Sequence, residues 1–505
     1  MLLQNCAVTE IAPFAGQWNR QRVMHLYRRL GFGASEAEIQ AGLLFPNASA
    51  LVDHLLDAAV ALPTPAAPYW ADWDDDDYDS SSETRFDHYR SFENRWMREM
   101  ITESIRAKMA LFWHGHFVTE VEIYKCTAFL WRYYQLLHDN AFGNFKTFVE
   151  EMGKTPAMLV YLNGNVNEAS EPNENYAREL LELFTLGANN GYTSEDIVNV
   201  SRALTGWKAD QYNCTILDPL DSDPDGRPII PEDHDFDEKI IFGQAIPAIT
   251  NPVDQTSAAV EAEYTAVHDL IFTERRDEAA LYICEQIYKH FVYPEVNPAI
   301  TNAMAATFKD NNWEILPVLK QIFKSEHFFD ETLVGGHIKS PVELFVSLTK
   351  NTELQYPADY SEDELHDWVE DCDSLGQLLF EPTNVAGWEG YRSWVNENTM
   401  TNRWSRISQL LFDFSEEAKD RLRTTIRLAV ADSNDPEVIA AFVIDLFINR
   451  PLEPQHLAVA VQYLKAGIPE NYYDDGTWSL YWEEAPDQVI NLLGYLSRLP
   501  EFQMN

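Results

Sequence analysis

Two histidines separated by one residue, His114 and His116, stand in an aromatic segment. Neutral imidazoles are good ligands for transition metals, and apolar surroundings strengthen such binding. Residues two apart on a regular helix point about 200° apart, so the two rings converge only if the helix breaks at Gly115. We interpret the pair as candidate metal ligands and Trp113 as a candidate wall for a ligand. The alternative is that each histidine packs in the core or binds carbonyl groups at a helix end.

A second group of chemically useful side chains lies in the predicted helical segment 173–185, which reads NENYARELLELFT. Glu179 and Glu182 share a helix face, where two carboxylates can hold a hard cation or exchange protons with a substrate. Arg178 can orient an anionic substrate group. These three are candidate catalytic residues, and the alternative is a polar helix face with local ion pairs. Further candidate ligand-binding residues of the segment are Asn173, Glu174 and Tyr176.

Tryptophans beside polar residues complete the candidate site. Arg202, a candidate catalytic residue, and Trp207 end one predicted helix, and Asn384 precedes Trp388 in a later segment that leads to Trp394. Rigid indole walls with polar anchors are typical of ligand pockets, and the alternative is ordinary core packing. Another charged group contains Asp235 and Lys239, which we interpret as a surface ion pair.

The composition excludes several classes of partner. The chain has 505 residues and a formal net charge of −44, which repels nucleic-acid phosphates and anionic membranes. No apolar run of about 18 residues and no signal peptide is recognisable, so we expect a soluble protein without a membrane span and favour the cytoplasm. Five cysteines stand far apart, and we expect them to be reduced and buried. Signature motifs of serine hydrolases, nucleotide-binding proteins and zincin metalloproteases are missing.

The elements that must position these residues are helices. Helical periodicity dominates and strand-like alternation is scarce, so the predicted fold class is all-α: a large multi-helix globular core with an irregular, loop-rich insertion. The predicted organisation is an N-terminal helical core, the insertion, a second helical part and a helical C-terminal segment that could be a subdomain. Their predicted bounds are 15–207, 208–256, 257–399 and 400–505.

Local signals refine this prediction. One long helix is predicted from residue 86 to about residue 114, and another from 121 to 137. Segment 63–82, with four consecutive aspartates, is interpreted as a mobile surface loop. Two capping boxes are predicted, at Ser35 with Glu38 and at Thr193 with Asp196.

Several segments resemble, in order, those of the bacterial family known as domain of unknown function 1800. They are HLYRRLGFG at 25–33, FWHGHF at 112–117, PNENYARELLELFTLG at 172–187, ALTGW at 203–207, His234-Asp235 with Lys239, KSPVEL at 339–344, Gly376-Gln377, and NVAGW at 384–388. The resemblance implies a shared fold and a shared polar site but no reaction. Relatives often look exported, often with a partner from a second, sulfatase-like family.

Two hypotheses follow for the function. In the first, the chain is a metal- or cofactor-assisted enzyme, or a small-ligand-binding protein, with a pocket of histidine, glutamate, arginine and tryptophan residues. Its cofactor is unknown, and a divalent metal is the candidate. In the second, the chain is a non-catalytic binding or assembly partner, and the same residues form a structural polar network.

Overall fold

A computed structural model describes residues 11–214, 229–353 and 361–505, and α-helices dominate these residues. The helices up to residue 203 are α1 (Arg20–Leu30), α2 (Glu36–Leu43), α3 (Ala48–Val60), α4 (Asp75–Ser80), α5 (Arg85–Thr102), α6 (Ile105–His116), α7 (Val121–Tyr124), α8 (Thr127–Asp139), α9 (Phe145–Lys154), α10 (Pro156–Tyr161), α11 (Asn175–Glu179), the π-helix Leu180–Thr185 and α12 (Ser194–Ala203). The later elements are β1 (Lys239–Ile241), β2 (Gln244–Ile246), α13 (Ser257–Glu274), α14 (Arg276–Phe291), α15 (Pro298–Asp310), α16 (Ile315–Phe323), α17 (Pro341–Thr352), α18 (Glu362–Ser374), α19 (Glu397–Phe412), α20 (Glu416–Ala429), α21 (Pro436–Phe447), α22 (Pro454–Leu464), α23 (Asn471–Asp474) and α24 (Ala485–Leu496). The predicted all-α class is therefore confirmed.

Side-chain caps fix where several helices begin. The predicted capping boxes are present at the starts of α2 and α12. A third, formed by Ser340 and Glu343, begins α17, with Pro341 at its first helical position. Each box satisfies backbone N–H groups that have no partner within the helix, so these starts follow from short sequence patterns.

The two long helices expected from periodicity are each broken. The first divides into α5 and α6 at Ser104, which has a φ of 50°, and its hydroxyl accepts a hydrogen bond of 3.2 Å from the backbone N–H of Phe32. The second divides into α7 and α8 at Lys125, with a φ of 58°. Both breaks depend on contacts or backbone conformations that an apolar period does not encode.

The break expected at Gly115 is absent, because α6 continues through His116. The run of aspartates also differs from the prediction of a mobile loop. Asp74 caps the short helix α4 with a capping box, and Asp75 pairs with Arg85. Carboxylates favour the first turn of a helix because its N–H groups carry a partial positive charge.

The predicted irregular insertion contains a two-stranded antiparallel hairpin, in which Ile240 of β1 faces Ala245 of β2. It is bound to the core by a fully buried ion pair, 2.7 Å between Lys239 and Glu263 of α13. The prediction of a surface ion pair at Lys239 is therefore wrong.

A disulfide joins Cys126, just before α8, to Cys214 in the insertion. The expectation that the cysteines are all reduced is wrong for this pair, whose 88-residue separation hides its proximity in space. Cys284 and Cys372 are free and buried. Within the described ranges, no helix is both long enough and apolar enough to cross a membrane. The predicted four-part organisation stays a prediction.

Candidate functional site

A cavity of about 550 Å³ lies between α6, α14, the start of α17 and the loop that precedes α19. Its walls combine aromatic rings with polar and charged side chains. The aromatic lining comprises Phe32, Phe112, Tyr282, Trp388, Tyr391 and Trp394. Volumes of about 300–1,000 Å³ with mostly apolar walls and a few polar groups are typical of sites for small molecules.

Helix α6 presents one of its two histidines to this cavity. His116 lines the cavity, whereas His114 is fully buried on the other side of the helix. The hydroxyl of Tyr133 lies 2.7 Å from Nδ1 of His114, and the backbone N–H of Phe380 donates to Nε2 over 3.2 Å. Burial lowers the pKa of His114 to about 3, so its ring is a neutral part of the core. The two rings diverge because the helix does not break between them.

The wide turn of the π-helix holds two cavity residues in place. Nε2 of His116 donates to the carbonyl of Phe184 over 3.0 Å, and the hydroxyl of Tyr282 donates to the carbonyl of Leu183 over 3.0 Å. These carbonyls are available because the helix ends at Thr185, so they have no partner one turn later. A carbonyl can only accept, so the neutral ring of His116 carries its proton on Nε2 and leaves Nδ1 as an acceptor.

Trp388 reaches the cavity because two glycines meet. Gly387 has a φ of +82°, and a Cβ atom there would lie 2.4 Å from the carbonyl oxygen of Gly115. Asn384 bends the loop: its side-chain oxygen accepts from the backbone N–H of Ala386 over 2.9 Å. The ring of Trp388 then lies 5.4 Å from that of His114. Only glycine at 387 permits both this backbone conformation and this close approach.

The cavity floor, as we call Lys108 and Glu343, is an ion pair of 2.8 Å that is shielded from solvent. Nζ of Lys108 also donates to the carbonyls of Arg28 and Gly31, which close the C-terminal end of α1. Burial lowers the pKa of Lys108 to about 8. Burial also favours the neutral form of Glu343, but Lys108 and Arg29 outweigh it and hold the pKa of this carboxyl well below its usual range.

Two more imidazoles, His290 and His337, line the cavity. Burial, together with Lys108 and Arg29, lowers the pKa of His290 to about 3. Burial and Arg29 likewise hold the pKa of His337 well below its ordinary value. Burial lowers the pKa of His116 to about 4. The three rings are therefore uncharged near neutral pH and act as hydrogen-bonding groups.

The carboxylates and arginine predicted near His116 lie elsewhere. Glu179 at the end of α11 and Glu182 of the π-helix are half-buried but do not line the cavity. Burial and Glu182 together raise the pKa of Glu179. Arg178 is exposed and pairs with Glu174 at 3.0 Å. A local ion pair on a helix face explains Arg178 and Glu174.

Other predicted residues have structural partners. Asn173 lies before α11 rather than at its cap, and its side-chain oxygen accepts from the backbone N–H of Asn175 over 2.9 Å. Tyr176 is buried. Trp113 is also buried and donates to the carbonyl of Ala141 over 3.0 Å. None of these three lines the cavity.

Arg202 belongs to the network that holds the insertion. It binds Asp235 through two nitrogens, at 2.7 and 3.2 Å. Trp207 packs its buried ring 5.0 Å from that of Tyr264. These residues join the insertion to the helical core, away from the cavity lining.

No group of three or more histidine, cysteine, aspartate or glutamate side chains in residues 11–214, 229–353 and 361–505 is arranged to hold a metal ion. The predicted metal site at His114 and His116 required that the two rings converge. Both ring nitrogens of His114 have protein partners instead, so neither is available to a metal ion. A metal site stays a prediction that this geometry does not favour.

Sequence reasoning missed most of the polar lining. The position of Lys108 could have indicated a buried polar partner, because a lysine within the apolar stripe of a helix needs a buried acceptor. Glu343 and Ser340 carried the pattern of a capping box. His290, His337 and Lys289 carried no pattern, since their relation to α6 depends on distant segments of the chain.

Together, the fold and the cavity define a large all-α protein with a polar and aromatic cavity. Its sequence matches the family described as protein of unknown function (DUF1800) over residues 25–504, so the chain belongs to that family. No curated protein and no solved structure matches it.

Proposed function

We propose that the cavity is a binding site for a small molecule and that this binding is the function of the protein. The observation that carries the proposal is the origin of the lining residues. Segments that resemble the family motifs supply much of the lining, although they are far apart in sequence: Phe32, Phe112 with His116, Ser340 with Glu343, Gln377, and Val385 with Trp388.

The shape and chemistry of the cavity support this proposal. Aromatic walls exclude water from a ligand, and three neutral imidazoles offer hydrogen bonds without the cost of desolvating a charge. Nδ1 of His116 is an acceptor in a fixed tautomer, because Nε2 is held by Phe184. That geometry also supports a catalytic version of the proposal, in which His116 accepts a proton from the ligand.

The alternative of a structural polar network is supported for a different set of residues. Two buried or half-buried ion pairs hold the insertion: Arg202 with Asp235 joins it to α12, and Lys239 with Glu263 joins it to α13. We therefore assign binding to the cavity and structural support to this network. Neither a metal nor a sulfatase-like partner enters the proposal, and both stay predictions.

The test fills the cavity. Ala386 lines it and is exposed at its mouth, so Ala386→Trp adds bulk there without replacing a core residue. A fragment library is screened by ligand-observed NMR against the wild-type protein, this variant and the control Ala58→Trp, whose site is exposed on α3. We expect ligands of the wild type that bind the control and not Ala386→Trp. Fragments that bind both variants equally, or no fragment at all, would contradict the proposal.

A further inference from the structure

We propose that the ligand carries an oxyanion, such as a carboxylate, phosphate or sulfate group, and that the cations lining the cavity, Lys108, Lys289 and Arg392, select it with the support of further buried cations behind Lys108. The inference rests on the proposed function, since it names the chemical class that the cavity takes. Its basis is the buried cation cluster, by which we mean Arg28, Arg29, Lys108, Lys339 and Arg403. Each of these side chains belongs to a residue at most 4% exposed.

One carboxylate acts on most of this cluster. Glu343 pairs directly with Lys108 and exerts an electrostatic effect on Arg29, Lys339 and Arg403. Asp445 acts on Arg28, but its carboxylate is bound by Arg20 at 2.7 Å. Burial lowers the pKa of Lys339 to about 7, so its amine is only partly protonated near neutral pH. The cluster nevertheless carries more positive charges than the carboxylates that act on it can balance.

Backbone carbonyls provide most of the remaining partners. Lys108 caps the C-terminal end of α1, Arg29 donates to Phe291 over 3.1 Å at the end of α14, and Arg28 donates to Leu446 over 2.5 Å at the end of α21. Arg403 and Lys339 bind the carbonyls of Lys339 and Phe502 at 2.7 and 2.9 Å.

Helix ends do not balance these charges. A helix C-terminus is equivalent to roughly half a negative charge, so three ends and Glu343 supply about half of what the five cations need. Positive charge that is shielded from water is costly unless an anion lies nearby. The cavity is the space next to Lys108 that is large enough to admit one.

The electrostatic effect reaches the groups that line the cavity. Burial and Lys108 lower the pKa of His290, and Lys108 and Arg29 keep Glu343 ionised although it is buried. Apart from the floor pair, the charged residues that line the cavity are two cations, Lys289 of α14 and the exposed Arg392, and one carboxylate, Glu389. Among the described lining residues, positive charge thus exceeds negative charge.

The surface charge of the protein opposes this preference at long range. A net charge of −44 repels an approaching anion, but salt at physiological concentration screens that repulsion beyond about 8 Å. The cations inside the cavity act at shorter range and in a lower dielectric, where they have the larger effect.

The experiment compares three ligands of nearly equal shape: benzoate, benzamide and benzamidine, which are anionic, neutral and cationic. Isothermal titration calorimetry on the full chain is expected to give benzoate at least tenfold tighter binding than benzamide, and benzamidine the weakest binding. The double variant Lys289→Gln, Arg392→Gln is expected to weaken benzoate binding at least fivefold more than it weakens benzamide binding. A ratio of benzoate to benzamide affinity equal to that of the wild type would overturn the inference. The matched control is the double variant Arg276→Gln, Arg498→Gln, which removes two exposed cations outside the cavity lining and should bind all three as the wild type does.

Each result decides the matter. If benzamide or benzamidine binds as tightly as benzoate, the oxyanion inference is overturned, but the cavity is still a binding site. The same conclusion follows if none of the three binds while fragments from the screen above still do. If neither these three nor any fragment binds, the oxyanion inference and the proposed function both fall.

Discussion

His114 and His116 show at the scale of single residues how neighbours in sequence take different roles. Both are neutral, but His114 is hydrogen-bonded on both ring nitrogens inside the core, whereas His116 keeps one nitrogen for the cavity. The sequence indicates that both are chemically special. It could not separate them, because the direction of each ring depends on whether α6 continues through Gly115.

His114→Gln tests the role of His114. The pKa of His114 is about 3 in the folded protein, below the usual value near 6.5 of an unfolded chain. Its contribution to stability is therefore present above pH 6.5 and is lost as pH falls from there toward 3. When the pH is lowered from about 7.5 to about 5, the free energy of unfolding of the wild type should fall by about 2 kcal/mol more than that of the variant.

Urea denaturation at the two pH values measures this difference. The control is His54→Gln at an exposed position of α3, which should keep the pH dependence of the wild type. Equal pH dependence in all three proteins would show that His114 is not buried in neutral form.

At the scale of elements, the sequence predicted the all-α class, the capping boxes and the irregular insertion. These depend on local patterns, which the sequence displays directly. It did not predict the breaks at Ser104 and Lys125, because each depends on a backbone conformation with positive φ. It also missed most of the cavity, whose lining joins residues as far apart as Phe32 and Trp394.

Gly387→Ala tests the contact between the loop that carries Trp388 and helix α6. The new methyl group would lie 2.4 Å from the carbonyl oxygen of Gly115, in addition to the cost of a φ of +82°. Gly467→Ala is the matched control, since its φ is +86° and nothing lies within 4 Å of a Cβ atom. Both variants should lose about 1 kcal/mol for the backbone conformation, and Gly387→Ala should lose at least about 1 kcal/mol more. Equal losses in thermal denaturation would mean that the loop at Gly387 does not contact α6.

The disulfide between Cys126 and Cys214 gives a second prediction about an element. A cross-link over 88 residues should stabilise the protein by up to about 4–5 kcal/mol through the entropy of the unfolded chain. Dithiothreitol should therefore lower the melting temperature of the wild type and leave that of Cys126→Ser, Cys214→Ser unchanged. A wild type insensitive to the reductant would argue against the bond.

At the scale of the whole molecule, acidic residues dominate: the chain has 81 aspartates and glutamates against 37 lysines and arginines. Of the seven buried lysines and arginines among the described residues, five form the buried cation cluster. Charge is thus separated between an acidic exterior and a cationic interior. Composition predicted the first part of this arrangement. The second part requires knowing which lysines and arginines are inside.

Salt should stabilise the protein through its exterior. Repulsion among surface carboxylates opposes the compact state, and raising NaCl from about 0.05 to about 0.5 M shortens the screening length severalfold. We expect the melting temperature to rise by several degrees and to rise equally with CaCl₂ at the same ionic strength. A larger effect of calcium would instead indicate specific cation binding at the acidic surface.

The last described residues pair with the strand-like segment beside the cavity. Ile338 and Met504 form a backbone bridge, the backbone N–H of Lys339 donates to Gln503 over 2.8 Å, and Arg403 binds the side chain of Gln503 at 2.8 Å. A truncated chain that ends near residue 400 would lack these partners of Lys339 and would expose its side chain. Ligand capture should therefore be a property of the intact polypeptide, and no excised half should retain it.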